Sequence, residues 1–247
     1  MSRRVLGSAL FLSVTIAAFE TTAVITALPT ISDVLHGSGL YGAALSANLL
    51  TSIVAIVAFG EIADRRRLGG LFVVAIGLFA TGLFVAGLAR SMPMVVAGRA
   101  VQGLGSGGMA TLPYVTIRRG FTERSQPAMY AVLSAGWVLP SLVAPAIAGW
   151  LTDAYGWRWV FLGLTGPAIG VAFLVAAQVR SLPDPPPPDA DAGAATSRIP
   201  SAIALTAGSA LALAGLAQSR LIPGVALVAV GAAVAARPVA RLWPAGW

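Results

Sequence analysis

Long apolar stretches alternate with short charged segments along this chain. Two of the stretches, 40–59 and 68–89, contain no acidic or basic residue, and each has about the 20 residues that a membrane-spanning helix needs. The segment 60–67 between them reads Gly-Glu-Ile-Ala-Asp-Arg-Arg-Arg. We therefore predict two transmembrane helices joined by a short charged loop, and its three arginines place that loop on the cytoplasmic side.

The same pattern predicts an all-α membrane protein. The first apolar run continues past Glu20 to Ile31, which is longer than the ~7–15 residues of a signal-peptide core, so we expect it to be retained as a helix. We predict a six-helix bundle followed by about two further transmembrane helices, the last of which is near the lower limit of length. The predicted helices after the first are 40–60, 69–89, 91–117, 127–152, 159–179, 199–219 and 221–236.

Composition agrees with a membrane protein. Hydrophobic residues make up 57% of the 247-residue chain and charged residues 10%, whereas soluble domains carry about a quarter charged residues. The chain has no cysteine, which excludes disulfides, thiol catalysis and cysteine-based metal sites. His36 is the single histidine and has no neighbouring ligand in the sequence, so we expect neither a metal site nor a cofactor.

All 16 basic residues are arginine, and their positions predict the orientation of the chain. Only Arg90, Arg158 and Arg220 lie in loops that we assign to the outside, so both termini are expected in the cytoplasm of a cell with this protein in its plasma membrane. The net charge of +7 is explained by this topology and by anionic lipid headgroups, and we expect no nucleic-acid partner. The arginines assigned to the cytoplasmic side are Arg3, Arg4, Arg65, Arg66, Arg67, Arg118, Arg119, Arg124, Arg180, Arg198, Arg237 and Arg241.

A proline-rich acidic segment divides the chain into two parts. Its four consecutive prolines, 185–188, cannot be helical and favour an extended spacer, with a docking motif for another protein as the alternative. We therefore predict a six-helix bundle over 1–180, a cytoplasmic linker over 181–198, two additional helices over 199–236 and a cytoplasmic tail over 237–247.

Two charged residues, Glu20 and Arg99, lie deep inside predicted helices. A charge at the bilayer centre costs at least ~2.5–3.5 kcal/mol on insertion scales, so such residues face the interior of the bundle. Glu20 can become neutral by taking a proton, whereas Arg99 cannot lose its charge. One interpretation is a proton-binding carboxylate beside a fixed cation near one cavity; the other is a structural ion pair that joins the two helices.

The fourth predicted helix contains a glycine-rich run, 103–108, whose letters match a dinucleotide-binding fingerprint. That fingerprint requires a preceding strand in a soluble βαβ unit, and this run lies inside a membrane helix, so we expect no nucleotide site. Small residues at this spacing let helix backbones approach closely. We predict the same packing role for Gly77, Gly82 and Gly87 in the third helix.

Two prolines interrupt the fifth predicted helix. Pro140 and Pro145 remove backbone donors and are expected to bend the helix. A bent helix with small residues suits an element that moves during function, and a static kink is the alternative interpretation.

Together these stretches resemble the major facilitator superfamily, and in particular its drug:proton antiporters of the fourteen-helix branch. Gly60, Asp64 and Arg65 fit the superfamily motif G-x-L-a-D-R-x-G-R between the second and third helices. Arg99 and Gln102 fit the fourth-helix motif R-x-x-Q-G-x-G.

The first and fifth helices extend the resemblance. Glu20 stands in the acidic position of the first-helix pattern D-x-T…A-L-P-x-I. Pro145 and Gly149 fit the fifth-helix antiporter motif g-x-x-x-G-P-x-x-G-G, in which Pro140 replaces a glycine. The resemblance covers 1–180 well and the last two helices weakly.

The resemblance implies alternating access between two six-helix halves, with export of lipophilic or cationic, drug-like small molecules driven by proton influx. It implies that Glu20 takes and releases the proton and that Arg99 and Gln102 tune or relay to it. In the same picture Asp64 and the neighbouring arginines hold the two halves together at the cytoplasmic side, and the bent fifth helix favours export.

The superfamily pattern has a second six-helix half after the helices present here. We therefore expect an N-terminal portion of an exporter, with a missing C-terminal half or a second chain as its partner. The alternative is a non-transporting membrane remnant, or a half-transporter that acts only with a partner chain. An enzyme is not expected, because no predicted helix end carries a nucleophile–base pair, a metal cluster or a phosphate loop in the right context.

Overall fold

The computed structural model describes residues 3–179, 197–216 and 221–242. These residues form eight α-helices and one short 3-10 turn, and no strand is present among them, so the predicted all-α fold class is confirmed. The helices are α1 Arg3–Val34, α2 Tyr41–Arg65, α3 Leu68–Gly87, α4 Met92–Gly120, α5 Gln126–Tyr155, α6 Arg158–Val179, α7 Ile199–Leu216 and α8 Leu221–Leu242; the 3-10 turn is Ser38–Leu40.

In the bundle formed by α1 to α6, helices that follow one another in sequence are rarely the closest neighbours. α4 packs against both α2 and α3, α1 packs against α5 and α6, and α3 packs against α6. Exchanging α1, α2 and α3 with α4, α5 and α6 reproduces this set of contacts. The bundle therefore has the contact pattern of two three-helix repeats, an arrangement that is common in membrane transporters.

Five of the described helices are long and apolar enough to cross a membrane, namely α1, α2, α3, α5 and α6. α4 has 29 residues, but Arg99, Gln102 and its glycines lower its mean hydropathy. In α7 and α8 the apolar segments Ile199–Gly215 and Gly224–Ala236 are shorter.

Glycines let α4 lie directly on its two neighbours. A Cβ atom on Gly103 would collide with Asn48 and Thr51 of α2, and one on Gly105 would lie 2.5 Å from the carbonyl oxygen of Ala75 in α3. The prediction of close packing is confirmed for these α4 glycines. It is confirmed for Gly82 and Gly87 in α3 as well. It is wrong for Gly77, around which there is open space.

α7 and α8 form a hairpin that packs against α2. A Cβ atom on Gly208 would lie 2.6 Å from the carbonyl oxygen of Gly231, and one on Gly215 would lie 2.6 Å from that of Gly224. The hydroxyl of Thr206 donates a hydrogen bond of 3.2 Å to the Leu50 carbonyl in α2. The hairpin is thus held together by glycine pairs and joined to the bundle through α2.

Two predicted boundaries differ from the structure. The prediction of a loop over 60–67 is wrong for residues 60–65, which form the last turns of α2; only Arg66 and Arg67 separate it from α3. The charged residues within 60–65 lie outside the apolar part of α2, but such residues continue a helix readily when its end reaches water. α8 extends beyond the predicted end at 236 to Leu242. Most of the predicted linker, 181–196, lies outside the described residues.

Candidate functional site

A buried ion pair joins the middle of α1 to the middle of α4. The carboxylate of Glu20 is paired with Nη1 of Arg99, and the two side chains are 0% and 3% exposed. Leaving either charge alone in this core would be costly, because an unpaired buried ion has no compensating partner. The structure therefore brings together the two charged residues that the sequence places inside apolar helices.

Gln102 completes this group one helical turn after Arg99. Its side-chain oxygen accepts a hydrogen bond of 2.8 Å from Nη1 of Arg99, and the residue is fully buried. Nη1 of Arg99 therefore donates to two acceptors, the Glu20 carboxylate on α1 and the Gln102 side chain on α4. We call Glu20, Arg99 and Gln102 the buried cluster.

The buried cluster retains hydrogen-bonding capacity. Oε2 of Glu20, Nε of Arg99 and Nε2 of Gln102 are buried and have no hydrogen-bond partner among the described residues. The same is true of Nδ2 of Asn48, a buried α2 residue beside Gly103. Sequence reasoning missed Asn48, although an amide side chain in an otherwise apolar run was an available signal.

A second carboxylate–arginine pair lies where α2 and α4 end. Oδ1 of Asp64 is 3.2 Å from Nη2 of Arg118, and both side chains are more than 60% exposed. Nη2 of Arg119 donates a hydrogen bond of 2.5 Å to the carbonyl oxygen of Ala63. These contacts tie the end of α2 to the end of α4. We call this side of the bundle the arginine-rich end.

Glu61 connects the arginine-rich end to α7. Its Oε2 accepts hydrogen bonds of 3.0 Å from the Ser197 hydroxyl and 3.1 Å from the backbone N–H of Arg198, immediately before α7 begins. A carboxylate at this position satisfies a free N–H group and complements the helix dipole. Sequence reasoning missed this role, because the partner lies 136 residues away in the chain.

The other residues predicted for the motif between α2 and α3 have looser surroundings. A Cβ atom on Gly60 would make only an ordinary contact, 3.7 Å from Thr111, so the space there does not demand glycine. Arg65 is exposed and lines a groove beside Asp64. Neither Glu20 nor Arg99 lines that groove, so the arginine-rich end and the buried cluster are separate places in the structure.

The residues predicted for the fifth-helix motif belong neither to the buried cluster nor to the arginine-rich end. Pro140 is buried with Gly136, Ala144 and Ala148 in a stripe along α5. A Cβ atom on Gly136 would lie 3.2 Å from Phe11, which shows that this stripe packs on α1. Pro145 is exposed, and the space around Gly149 is open. α5 is helical through both prolines.

The sequence pattern of the Major Facilitator Superfamily matches residues 10–241. The chain belongs to the major facilitator superfamily. It is therefore a multi-pass membrane protein of a transporter family rather than a member of an enzyme family.

Curated relatives in the superfamily are considerably longer than this chain. It is 32% identical over 168 residues to the Acurin A biosynthesis cluster MFS-type transporter of Aspergillus aculeatus, covering 67% of this chain and 30% of that protein. It is 31% identical over 178 residues to Efflux pump FUS6 of Gibberella fujikuroi, covering 72% of this chain and 32% of that protein. The chain thus spans about a third of the length of these relatives.

Solved structures show the same superfamily fold. The POT family transporter PepTSo matches 97% of this chain and 55% of its own, with a TM-score of 0.67 and 14% identity. A bacterial homolog of the human lysosomal transporter Spinster matches 96% of this chain and 59% of its own, with a TM-score of 0.62 and 18% identity. At these identities the likeness establishes the fold alone.

Proposed function

We propose that this superfamily member takes part in proton-coupled export of small lipophilic or cationic molecules by alternating access. The observation that carries the proposal is the buried cluster, in which a carboxylate that can bind a proton is paired with a cation that cannot lose one. The efflux pumps among its relatives favour export as the direction. We further propose that the arginine-rich end faces the cytoplasm of a plasma-membrane protein.

Proton binding would change the contact between α1 and α4. A proton on the carboxylate of Glu20 removes the negative charge that holds Arg99, while Gln102 continues to accept a hydrogen bond from the guanidinium. The attraction between the two helices is then weaker, and their packing can change. Release of the proton restores the ion pair and returns the helices to the paired arrangement.

A second candidate function follows from the same contact. The ion pair between Glu20 and Arg99 is complete within one bundle, so it can serve as a structural link that holds α1 against α4. In that case the chain is a membrane protein that does not transport by itself, or one that transports only with a partner chain supplying further helices.

The discriminating experiment uses proteoliposomes with an imposed pH gradient and the lipophilic cation ethidium as the probe. We expect gradient-driven ethidium movement from the wild-type chain and a loss of at least tenfold in Glu20→Gln, which cannot titrate. Asp33→Asn, an exposed change near the end of the same helix, serves as the matched control and should transport normally.

Two results would reject proton-coupled export through Glu20. One is gradient-driven movement in Glu20→Gln at the wild-type rate. The other is no movement in any variant while each protein remains folded and monodisperse; this result supports the structural role.

A further inference from the structure

A groove opens at the arginine-rich end, outside the buried cluster. Its volume is about 800 Å³, and it lies among the ends of α2 and α4 and the starts of α5 and α7. The lining includes charged, aromatic and apolar side chains, so it offers more than a patch of surface charge. We call it the arginine groove.

The charges in the arginine groove do not cancel. Asp64 is paired with Arg118, and Glu61 accepts its hydrogen bonds at the start of α7. Arg65 and Arg198 line the groove, and within the described part of the chain neither guanidinium has an acidic partner. The lining holds three arginines and two carboxylates, so its net charge is +1, and the guanidinium groups of Arg65 and Arg198 can bind an anionic group through charge-assisted hydrogen bonds.

The remaining walls suit an apolar or aromatic body. Tyr114 and Tyr130 also line the groove, and their rings are stacked with centroids 5.8 Å apart and planes 18° apart. The aliphatic side chains of Ile56, Val57 and Val115 add apolar surface beside them. A small inorganic anion would leave these walls unused, whereas an amphipathic molecule would contact both parts of the groove.

We propose that the arginine groove binds an amphipathic anion. The anionic group lies against Arg65 and Arg198, and the apolar body lies along Tyr114, Tyr130 and the aliphatic wall. An anionic phospholipid and a soluble organic anion share this chemistry, and binding measured separately for each class distinguishes them. The inference concerns binding and does not use Glu20, so it can fail independently of proton-coupled export.

The first experiment measures binding to the full chain in nonionic detergent. Native mass spectrometry compares retention of phosphatidylglycerol with that of neutral phosphatidylcholine. Equilibrium dialysis measures binding of 2-naphthalenesulfonate, with protein-free micelles subtracted. Because an arginine near a charged ligand contributes about 1 kcal/mol, we expect R65Q combined with R198Q to weaken binding of the preferred probe roughly 10- to 30-fold.

The matched control removes the same charge from the same end. Arg66 and Arg124 are exposed and lie outside the groove, so R66Q combined with R124Q should leave binding within about twofold of wild type. An equal loss in both double variants would mean general electrostatic attraction and would overturn the proposal. Failure of both probes to bind the wild-type chain would overturn it as well.

A second pair of variants tests the aromatic wall. Tyr130→Ser should weaken binding of 2-naphthalenesulfonate about fivefold or more, because a planar ring stacked on an aromatic side chain, as measured for nucleic-acid bases, contributes roughly 1–3 kcal/mol. Tyr155→Ser changes an exposed tyrosine at the other end of the same helix and should have no effect. Equal binding by Tyr130→Ser and wild type, or inorganic phosphate competing as well as either amphiphile, would reject an amphipathic ligand.

The two probes identify the source of the ligand. Retention of phosphatidylglycerol alone supports a lipid site, and binding of 2-naphthalenesulfonate alone supports a soluble organic anion. If both bind, each should displace the other from the wild-type chain. Binding of both without mutual displacement would show that they do not share this groove and would overturn the proposal.

Discussion

α4 supplies the arginine of two carboxylate–arginine pairs that lie in opposite surroundings. Arg99 meets Glu20 of α1 with 3% and 0% of the side chains exposed, whereas Arg118 meets Asp64 of α2 with 64% and 62% exposed. The chemical groups are the same in both pairs. Water determines what each pair contributes, because it solvates the exposed charges when the pair breaks and cannot do so for the buried ones.

The two ion pairs are expected to differ in how much they contribute to stability. In the exposed pair Asp64 belongs to the motif between α2 and α3 and Arg118 lies near the end of α4, and pairs of this kind contribute about 0–1 kcal/mol. The buried pair consists of two single residues in apolar runs, and removing one partner of such a pair typically costs about 3–5 kcal/mol. Substitutions at the two places should therefore differ severalfold in their effect on stability.

The largest expected effect comes from Arg99→Met. This change leaves the Glu20 carboxylate buried beside an apolar side chain, so the free energy of unfolding in detergent should fall by about 3–5 kcal/mol near neutral pH. Denaturant-induced unfolding followed by circular dichroism measures the change.

Adding Glu20→Met to Arg99→Met removes the orphan charge and should recover most of the lost stability. The double variant tests whether the cost belongs to the unpaired ion. If it is no more stable than the single variant, packing by Arg99 rather than charge accounts for the loss.

The next effect should come from Gly103→Ala, which challenges the close approach of α4 to α2. The added Cβ atom would meet the backbone of Asn48 and the side chain of Thr51, so we expect a loss of about 1–3 kcal/mol in the same unfolding measurement. Gly77→Ala, which adds a methyl group in open space, is the control and should not destabilise the protein. Equal behaviour of the two variants would contradict the packing argument.

Glu61→Ala should have an intermediate effect that is confined to the hairpin. Losing the acceptor at the start of α7 should cost about 1 kcal/mol, as for other helix N-terminal contacts. The chain has no cysteine, so the pair Leu50→Cys and Thr206→Cys can report contact between α2 and α7 by cross-linking. We expect a lower yield with Glu61→Ala and little change with Glu61→Gln, which keeps an acceptor. An unchanged yield with alanine would show that Glu61 does not hold α7.

The smallest effect should come from Asp64→Asn. Because the pair with Arg118 is exposed, the free energy of unfolding should change by less than about 1 kcal/mol. Raising the salt concentration should shrink the difference further, since exposed charges are screened. Unfolding at low and high salt measures both points, and a loss comparable with that of Arg99→Met would contradict the comparison.

Much of the fold could be predicted from the sequence, because a helix in lipid must be apolar over most of its length and must satisfy its own backbone. The same constraint made Glu20 and Arg99 visible as candidates. The prediction of a loop was wrong for 60–65, which are helical, since charge indicates contact with water but does not distinguish a loop from a helix end.

The remaining site residues depend on contacts that are distant in sequence. Glu61 is informative only once Ser197 and Arg198 are beside it. The amide of Asn48 stands out in its apolar run, but its position beside Gly103 depends on the packing of α4 against α2. Gly77 and Gly82 lie in the same helix and look alike in sequence. Only Gly82 faces the backbone of a neighbouring helix, and no local pattern separates the two.

The paired glycines of α7 and α8 restrict sliding of one helix of the hairpin along the other. Gly208 faces Gly231 and Gly215 faces Gly224, so the two contacts are separated by seven residues on each helix, or about 10 Å along its axis. Sliding one helix past the other by a single turn would drive side chains into backbone carbonyls at both points. Glu61 of α2 accepts a hydrogen bond from the residue just before α7. A tilt of α2 is therefore expected to move α7 and α8 together.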